Sequence, residues 1–104
     1  MLDAAVFKAL ADPTRRAVFE RLTAAELSVS DLAAEMPVSQ PAVSQHLAAL
    51  RQAGLVNERR EGRFAFYRAA PDALAGLEAW VAKYRTFWPE RVERLKTVLK
   101  EMDE

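Results

Sequence analysis

The residues of this chain best suited to recognition chemistry are neutral. Gln40, Pro41, Ser44, Gln45 and Ala48 fall on one side of a helical repeat whose other side carries Val43, Leu47 and Leu50. Amides, a hydroxyl and small apolar groups suit the edges of DNA bases. Gln pairs with adenine through one donor and one acceptor, Ser meets several bases, and Pro41 or Ala48 can touch a thymine methyl. A helix face turned only to water would more often carry Glu and Lys, so the expectation is a helix that reads DNA. Ser39, at the start of that helix, is counted with the DNA-facing set. His46, beside the base-reading positions, is expected to face a phosphate or to pack beside the preceding helix. Further on, Arg59, Arg60 and Arg63 flank a glycine turn, where they suit phosphates or the minor groove.

Composition narrows the alternatives. The chain has 104 residues, a length for one domain, with no cysteine and a single histidine. Disulfides, thiol catalysis, cysteine-based metal sites and multi-histidine sites are excluded. Gly54, Gly62 and Gly76 are too scattered for a dinucleotide fingerprint or a phosphate-binding loop. A hydrolase built on Ser and His46 lacks the G-x-S-x-G elbow. The chain is therefore expected not to be an enzyme and to need no cofactor. No apolar run approaches the roughly 18 residues of a membrane span, and Met1-Leu2-Asp3 lacks the basic start of a secretory leader. A soluble, cytoplasmic protein is expected, without membrane contact. Fifteen basic and fifteen acidic residues cancel, yet residues 39–70 hold Arg51, Arg59, Arg60, Arg63 and Arg68 against only Glu58 and Glu61. A polyanion meets this local surplus rather than the neutral total.

Several elements must position these groups. Leu2, Val6 and Leu10 predict a first helix, interrupted at Asp12-Pro13 because a residue before proline is pushed out of the helical region. Asp12 as N-cap and Pro13 at the first position open a second helix to about residue 25. Ser28 and Ser30 offer hydroxyl caps for a short third helix over residues 31–36. A tight turn at Pro37-Val38 leads to a fourth helix over 39–53, capped by Ser39 and stopped by Gly54. Residues 55–60 and 63–69, around Glu61-Gly62, read as a β-hairpin. An amphipathic stretch from Leu74 to Met102 follows, in which Pro89 either kinks one helix or opens a last one. The predicted fold is mainly α with a β-hairpin wing, a winged helix-turn-helix of order ααααββα with a further C-terminal helix left open. It is read as a single domain over 1–104.

Four runs together resemble one family: Leu10-Ala11-Asp12-Pro13-Thr14-Arg15-Arg16, the run from Glu26 to Ala33, the run from Ser39 to Leu47, and Leu50-Arg51-Gln52-Ala53-Gly54-Leu55-Val56. Over about residues 5–70 the chain is similar to the ArsR/SmtB winged helix-turn-helix repressors. The resemblance implies a homodimer with base contacts from Gln40, Ser44 and Gln45, joined through its first and penultimate helices. Helices at about 2–11 and 72–103 would supply that interface, through Leu2, Val6, Leu10, Leu77, Trp80, Val81, Tyr84 and Trp88.

One departure matters. Arsenic- and lead-sensing members place two cysteines in the third helix, where this chain has Ser28 and Ser30, and zinc sensors use His and Asp pairs on the penultimate helix. No histidine lies past His46, and serine is a poor ligand for thiophilic metals. The expectation is a metal-independent, cysteine-free member with no metal site. It would be a homodimeric repressor on an inverted-repeat operator in double-stranded DNA, one that also regulates its own gene. Whether a small molecule relieves repression is left open. Trp80, Tyr84, Phe87 and Trp88 would line its pocket, or form core or dimer seam. A rival expectation is a winged-helix protein-interaction module that does not read DNA. It predicts acidic or large apolar residues where Gln40, Ser44 and Gln45 stand.

Overall fold

The computed structural model describes residues 4–85 and 89–103. Its elements are α1 (Ala4–Ala11), α2 (Pro13–Ala24), β1 (Leu27–Ser28), α3 (Val29–Glu35), α4 (Gln40–Gln52), β2 (Val56–Glu61), β3 (Phe64–Ala69), α5 (Ala75–Arg85) and α6 (Pro89–Asp103). This is a mainly helical winged helix-turn-helix with a small antiparallel sheet. The chain divides into two compact units, residues 3–74 and residues 75–104.

In the unit over residues 3–74, side chains satisfy the free N–H groups at the helix starts. The Asp12 carboxylate accepts from the Arg15 amide at 2.9 Å, with Pro13 as the first residue of α2. That amide holds the Asp12 carboxyl below its usual range, with the charge of Arg15 assisting. Ser28 and Asp31 form a reciprocal capping box on α3. The third helix therefore starts at Val29, two residues before the expected 31, because Ser28 and not Ser30 is the cap. Ser39 Oγ accepts from the Ala42 amide at 3.2 Å and starts α4. That helix ends in a Schellman turn. Gly54 adopts φ +76°, its N–H donates to Arg51 at 3.0 Å, and the Leu55 N–H donates to Leu50 at 2.9 Å. Leu50 and Leu55, the apolar pair that accompanies such a turn, are both fully buried.

The core lies where α2, α3 and α4 meet. Val18, Leu32, Val43, Leu47, Leu50 and Leu55 are its most deeply buried large side chains. Val6 belongs to this core at 8% exposure, and Leu10 packs against it. Val6 is thus turned inward and not onto an open stripe. Phe7, its neighbour on α1, is the exposed large side chain there, at 44%.

The sheet has strand order β1-β3-β2, antiparallel throughout. β1 was not foreseen: two residues carry no alternation to detect, and Leu27 and Ser28 become a strand only by pairing with Tyr67 and Phe66. The hairpin turn sits one residue later than expected. Glu61 pairs with Phe64 around Gly62-Arg63. Gly62 has φ +60° and no other residue of the turn is positive, the pattern of a tight turn with glycine first.

The second unit consists of α5 and α6. Of the two readings of Pro89, the helix start holds: α6 begins at it. Trp80 and Tyr84 lie one turn apart on α5 with ring centroids 4.8 Å apart. Trp80, Val81 and Tyr84 from α5 and Leu95 and Leu99 from α6 line an open, mostly apolar cleft of about 640 Å³. Leu95, Val98, Leu99 and Met102 are exposed along α6. No α5 residue is buried. Leu2, Phe87 and Trp88 lie outside the described residues.

Candidate nucleic-acid interface

α3 and α4 are joined by the short turn over residues 36–39, and the hairpin follows α4 after Ala53, Gly54 and Leu55. Burial of Val43, Leu47 and Leu50 fixes the rotation of α4. Gln40, Pro41, Ser44, Gln45 and Ala48 are consequently all exposed, as the helical spacing requires. Gln40 donates through Nε2 to Ser30 Oγ at 3.1 Å, a bond between the first turns of α3 and α4. The side chains of Ser44 and Gln45 make no hydrogen bond among the described residues, so their donors and acceptors are available to a ligand. Ser39 is exposed, with one lone pair occupied by its capping role.

His46 is half-buried. Arg15 Nε of α2 donates to His46 Nδ1 at 3.4 Å. This acceptor role requires that nitrogen to be unprotonated.

The wing arginines, equivalent by composition, separate into different environments. Arg59 is held in a network of its own. It donates to Glu26 at 2.6 Å and to Glu61 at 2.8 Å, with its guanidinium 4.9 Å from the centre of the Phe66 ring. The hydrogen bond to Glu26 leads in raising the Arg59 pKa and in turn lowers that of Glu26. Arg60 donates to Glu58 at 3.0 Å. Arg63, in the turn, is exposed and forms no ion pair among the described residues, and the same holds for Arg68 on β3. The structure thus brings Gln40, Pro41, Ser44 and Gln45 onto one face and leaves Arg63 as the open cation of the expected three.

Sequence reasoning missed a second polar centre. Glu58 receives the Tyr67 phenol at 2.6 Å, Arg60 at 3.0 Å and Arg51 at 3.3 Å. These bonds, the Tyr67 one first, hold its carboxyl below the ordinary range, while burial and then Glu58 push the Tyr67 phenol up. Glu58 and Tyr67 are direct cross-strand partners. The signal was present in the hairpin but needed the correct turn. With Glu61-Gly62 as the turn, Glu58 would oppose Ala65.

Ser28 and Ser30 are engaged in capping α3 and in receiving Gln40. Among the described residues no group of three His, Asp or Glu side chains converges to hold a metal ion. None of the described helices is long and apolar enough to cross a membrane.

Comparison with known proteins agrees with this geometry. A family model described as a helix-turn-helix domain matches residues 10–59. An HTH-type transcriptional regulator of Mycobacterium tuberculosis is 46% identical over 80 residues, covering 77% of this chain and 75% of that protein. The transcriptional repressor SdpR of Bacillus subtilis is 33% identical over 79 residues, 76% of this chain and 88% of its own. The solved structure of an ArsR-like transcriptional regulator from Rhodococcus superposes with a TM-score of 0.73 at 36% identity, covering 91% of this chain and 90% of that one. These similar proteins are named as transcriptional regulators and a repressor, and the matching fold is a helix-turn-helix with a wing: the chain belongs to the ArsR/SmtB family of winged helix-turn-helix, DNA-binding transcriptional regulators.

Proposed function

We propose that the protein is a homodimeric repressor that reads an inverted-repeat operator through α4, acts in the cytoplasm on its own promoter among others, and does not sense metals. The observation that carries this reading is the outward face of α4, where the side chains of Ser44 and Gln45 stand exposed without hydrogen-bond partners among the described residues. Gln40, Gln45 and Ser44 would contact base edges, and Pro41 and Ala48 thymine methyls. Arg63 would follow the backbone from the wing. His46 would reach a phosphate, and Arg59 and Arg60 would do so only by leaving their carboxylates.

One helix and one wing offer little contact, so a second copy is needed to span two half-sites about 34 Å apart or a multiple of that. Exposed Trp80 and Val81, with half-buried Leu77 and Tyr84, support an interface on α5. Independence from metals is supported by hydroxyls where thiols would be needed and by their engagement in the fold. Control would then come from protein concentration or from an organic ligand in the α5–α6 cleft.

Genome-wide selection of fragments bound by purified protein, with a gel shift on the DNA upstream of its coding region, tests the reading. An enriched inverted repeat bound by a dimer is expected, unchanged by zinc, cadmium or arsenite. Monomer alone in light scattering at micromolar concentration, or release of DNA by a near-stoichiometric metal, would overturn the corresponding part.

A further inference from the structure

We propose that Glu58 is a positioning residue for DNA binding: its carboxylate locks the wing to the last turn of α4, setting the spacing between the base-reading face and the wing tip. The inference rests on α4 and the wing engaging the same DNA.

Three elements converge on this one side chain. Tyr67 Oη comes from β3 at 2.6 Å, Arg60 Nε from β2 itself at 3.0 Å, and Arg51 Nη1 from α4 at 3.3 Å. The Glu58 side chain is only 10% exposed, although Asn57, Arg59, Arg60 and Glu61 around it on the strand are all exposed. The base of the hairpin is held by buried Leu55 and Val56. Beyond that base, the Arg51–Glu58 pair is the ion pair between α4 and the hairpin among the described residues. Ionised donors and acceptors make stronger and more directional bonds than neutral ones, so this junction resists bending of the wing about its base. Its placement is otherwise unfavourable, because a carboxylate beside a DNA-facing helix repels phosphate. It also occupies two arginines that phosphate would attract.

Electrostatics alone and positioning therefore predict opposite signs for one substitution. Glu58→Gln removes a negative charge and releases Arg51 and Arg60. If charge alone matters, DNA binds more tightly with a steeper salt dependence. If Glu58 positions the wing, binding to DNA selected from a random pool by the wild-type protein weakens on the order of tenfold. Hydroxyl-radical protection is then lost at the wing positions and retained over the bases read by α4. Tyr67→Phe changes no charge and is expected to weaken binding in the same way by a smaller factor, with the same loss of wing protection. It carries the test alone should Glu58→Gln fail to fold by circular dichroism. Binding by both variants that equals or exceeds wild type, with an unchanged footprint, would overturn the proposal. Failure of the wild-type protein to enrich any sequence would instead remove the DNA-reading assignment beneath it.

Discussion

On α4, Ser44 and Gln45 project outward with no partner among the described residues, whereas on the wing Arg59 and Arg60 are each held by a carboxylate of the same chain. The first surface is neutral, directional and set on a fully buried row of Val43, Leu47 and Leu50. The second is charged, and much of its charge is answered internally. For a polyanion, the basic surplus of residues 39–70 therefore overstates what the folded protein offers: within that stretch, Arg63 and Arg68 are the cations without an ion pair among the described residues. Exposed ion pairs are weak, roughly 0–1 kcal/mol, so phosphate can compete for Arg59. Under the proposed function this is a division of labour, with specificity from α4 and a modest, adjustable affinity from the wing.

The comparison breaks most completely if α4 loses its footing. Leu47→Ala should cost about 2–5 kcal/mol, because it opens a cavity under a fully buried side chain. Thermal unfolding should show a large drop in Tm, with both specific and random DNA binding lost at temperatures where the variant is unfolded. An unchanged Tm would mean that the leucine row does not anchor the helix.

Gln45→Ala sharpens the comparison instead. It should leave the fold intact and reduce binding to the selected site by roughly 1–3 kcal/mol, with little effect on random DNA. Gln40→Ala should behave similarly, with an added small loss of stability from its bond to Ser30. Equal losses on specific and random DNA in competition gel shifts would contradict the base-reading role.

On the wing, Arg63→Ala should weaken all sequences together and flatten the logarithmic salt dependence by about 0.9 per lost phosphate contact. Arg59→Ala should change it less, because Glu26 and Glu61 already hold that guanidinium. Salt titrations of the two variants decide the matter, and a larger effect from Arg59 would mean that its ion pairs open on DNA.

The smallest effect concerns pH. Glu58 and Glu26 titrate below their ordinary 4.5 in the folded protein, held there chiefly by Tyr67 and by Arg59. A depressed carboxyl contributes stability that is present above its unfolded value and lost as pH falls through the folded one. Urea unfolding midpoints should therefore decline as pH drops below 4.5, less steeply in Glu26→Gln and Glu58→Gln. Identical slopes in the variants and wild type would remove these two groups from the account.

Periodicity alone was enough for the order of the helices, the row of Val43, Leu47 and Leu50, and the exposed side that opposes it. So were the N-caps Asp12 and Ser39 and the glycine stop at Gly54. These depend on interactions within a few residues, which a linear chain displays. The short β1, the hairpin register and the partners of each wing arginine depend on contacts between residues far apart in the chain. Leu27 meets Tyr67, Glu26 meets Arg59, and Arg15 meets His46 only after the helices have packed. Moving the turn by a single residue exchanges Ala65 for Tyr67 opposite Glu58, and only the place of the glycine within the turn separates the two locally. The sequence by itself determined which side of the fourth helix is buried and which residues face outward, because side-chain direction follows from helical geometry. Only the tertiary structure decided which cations remain open and what holds the wing, because ion pairing depends on distances that exist only in the folded chain.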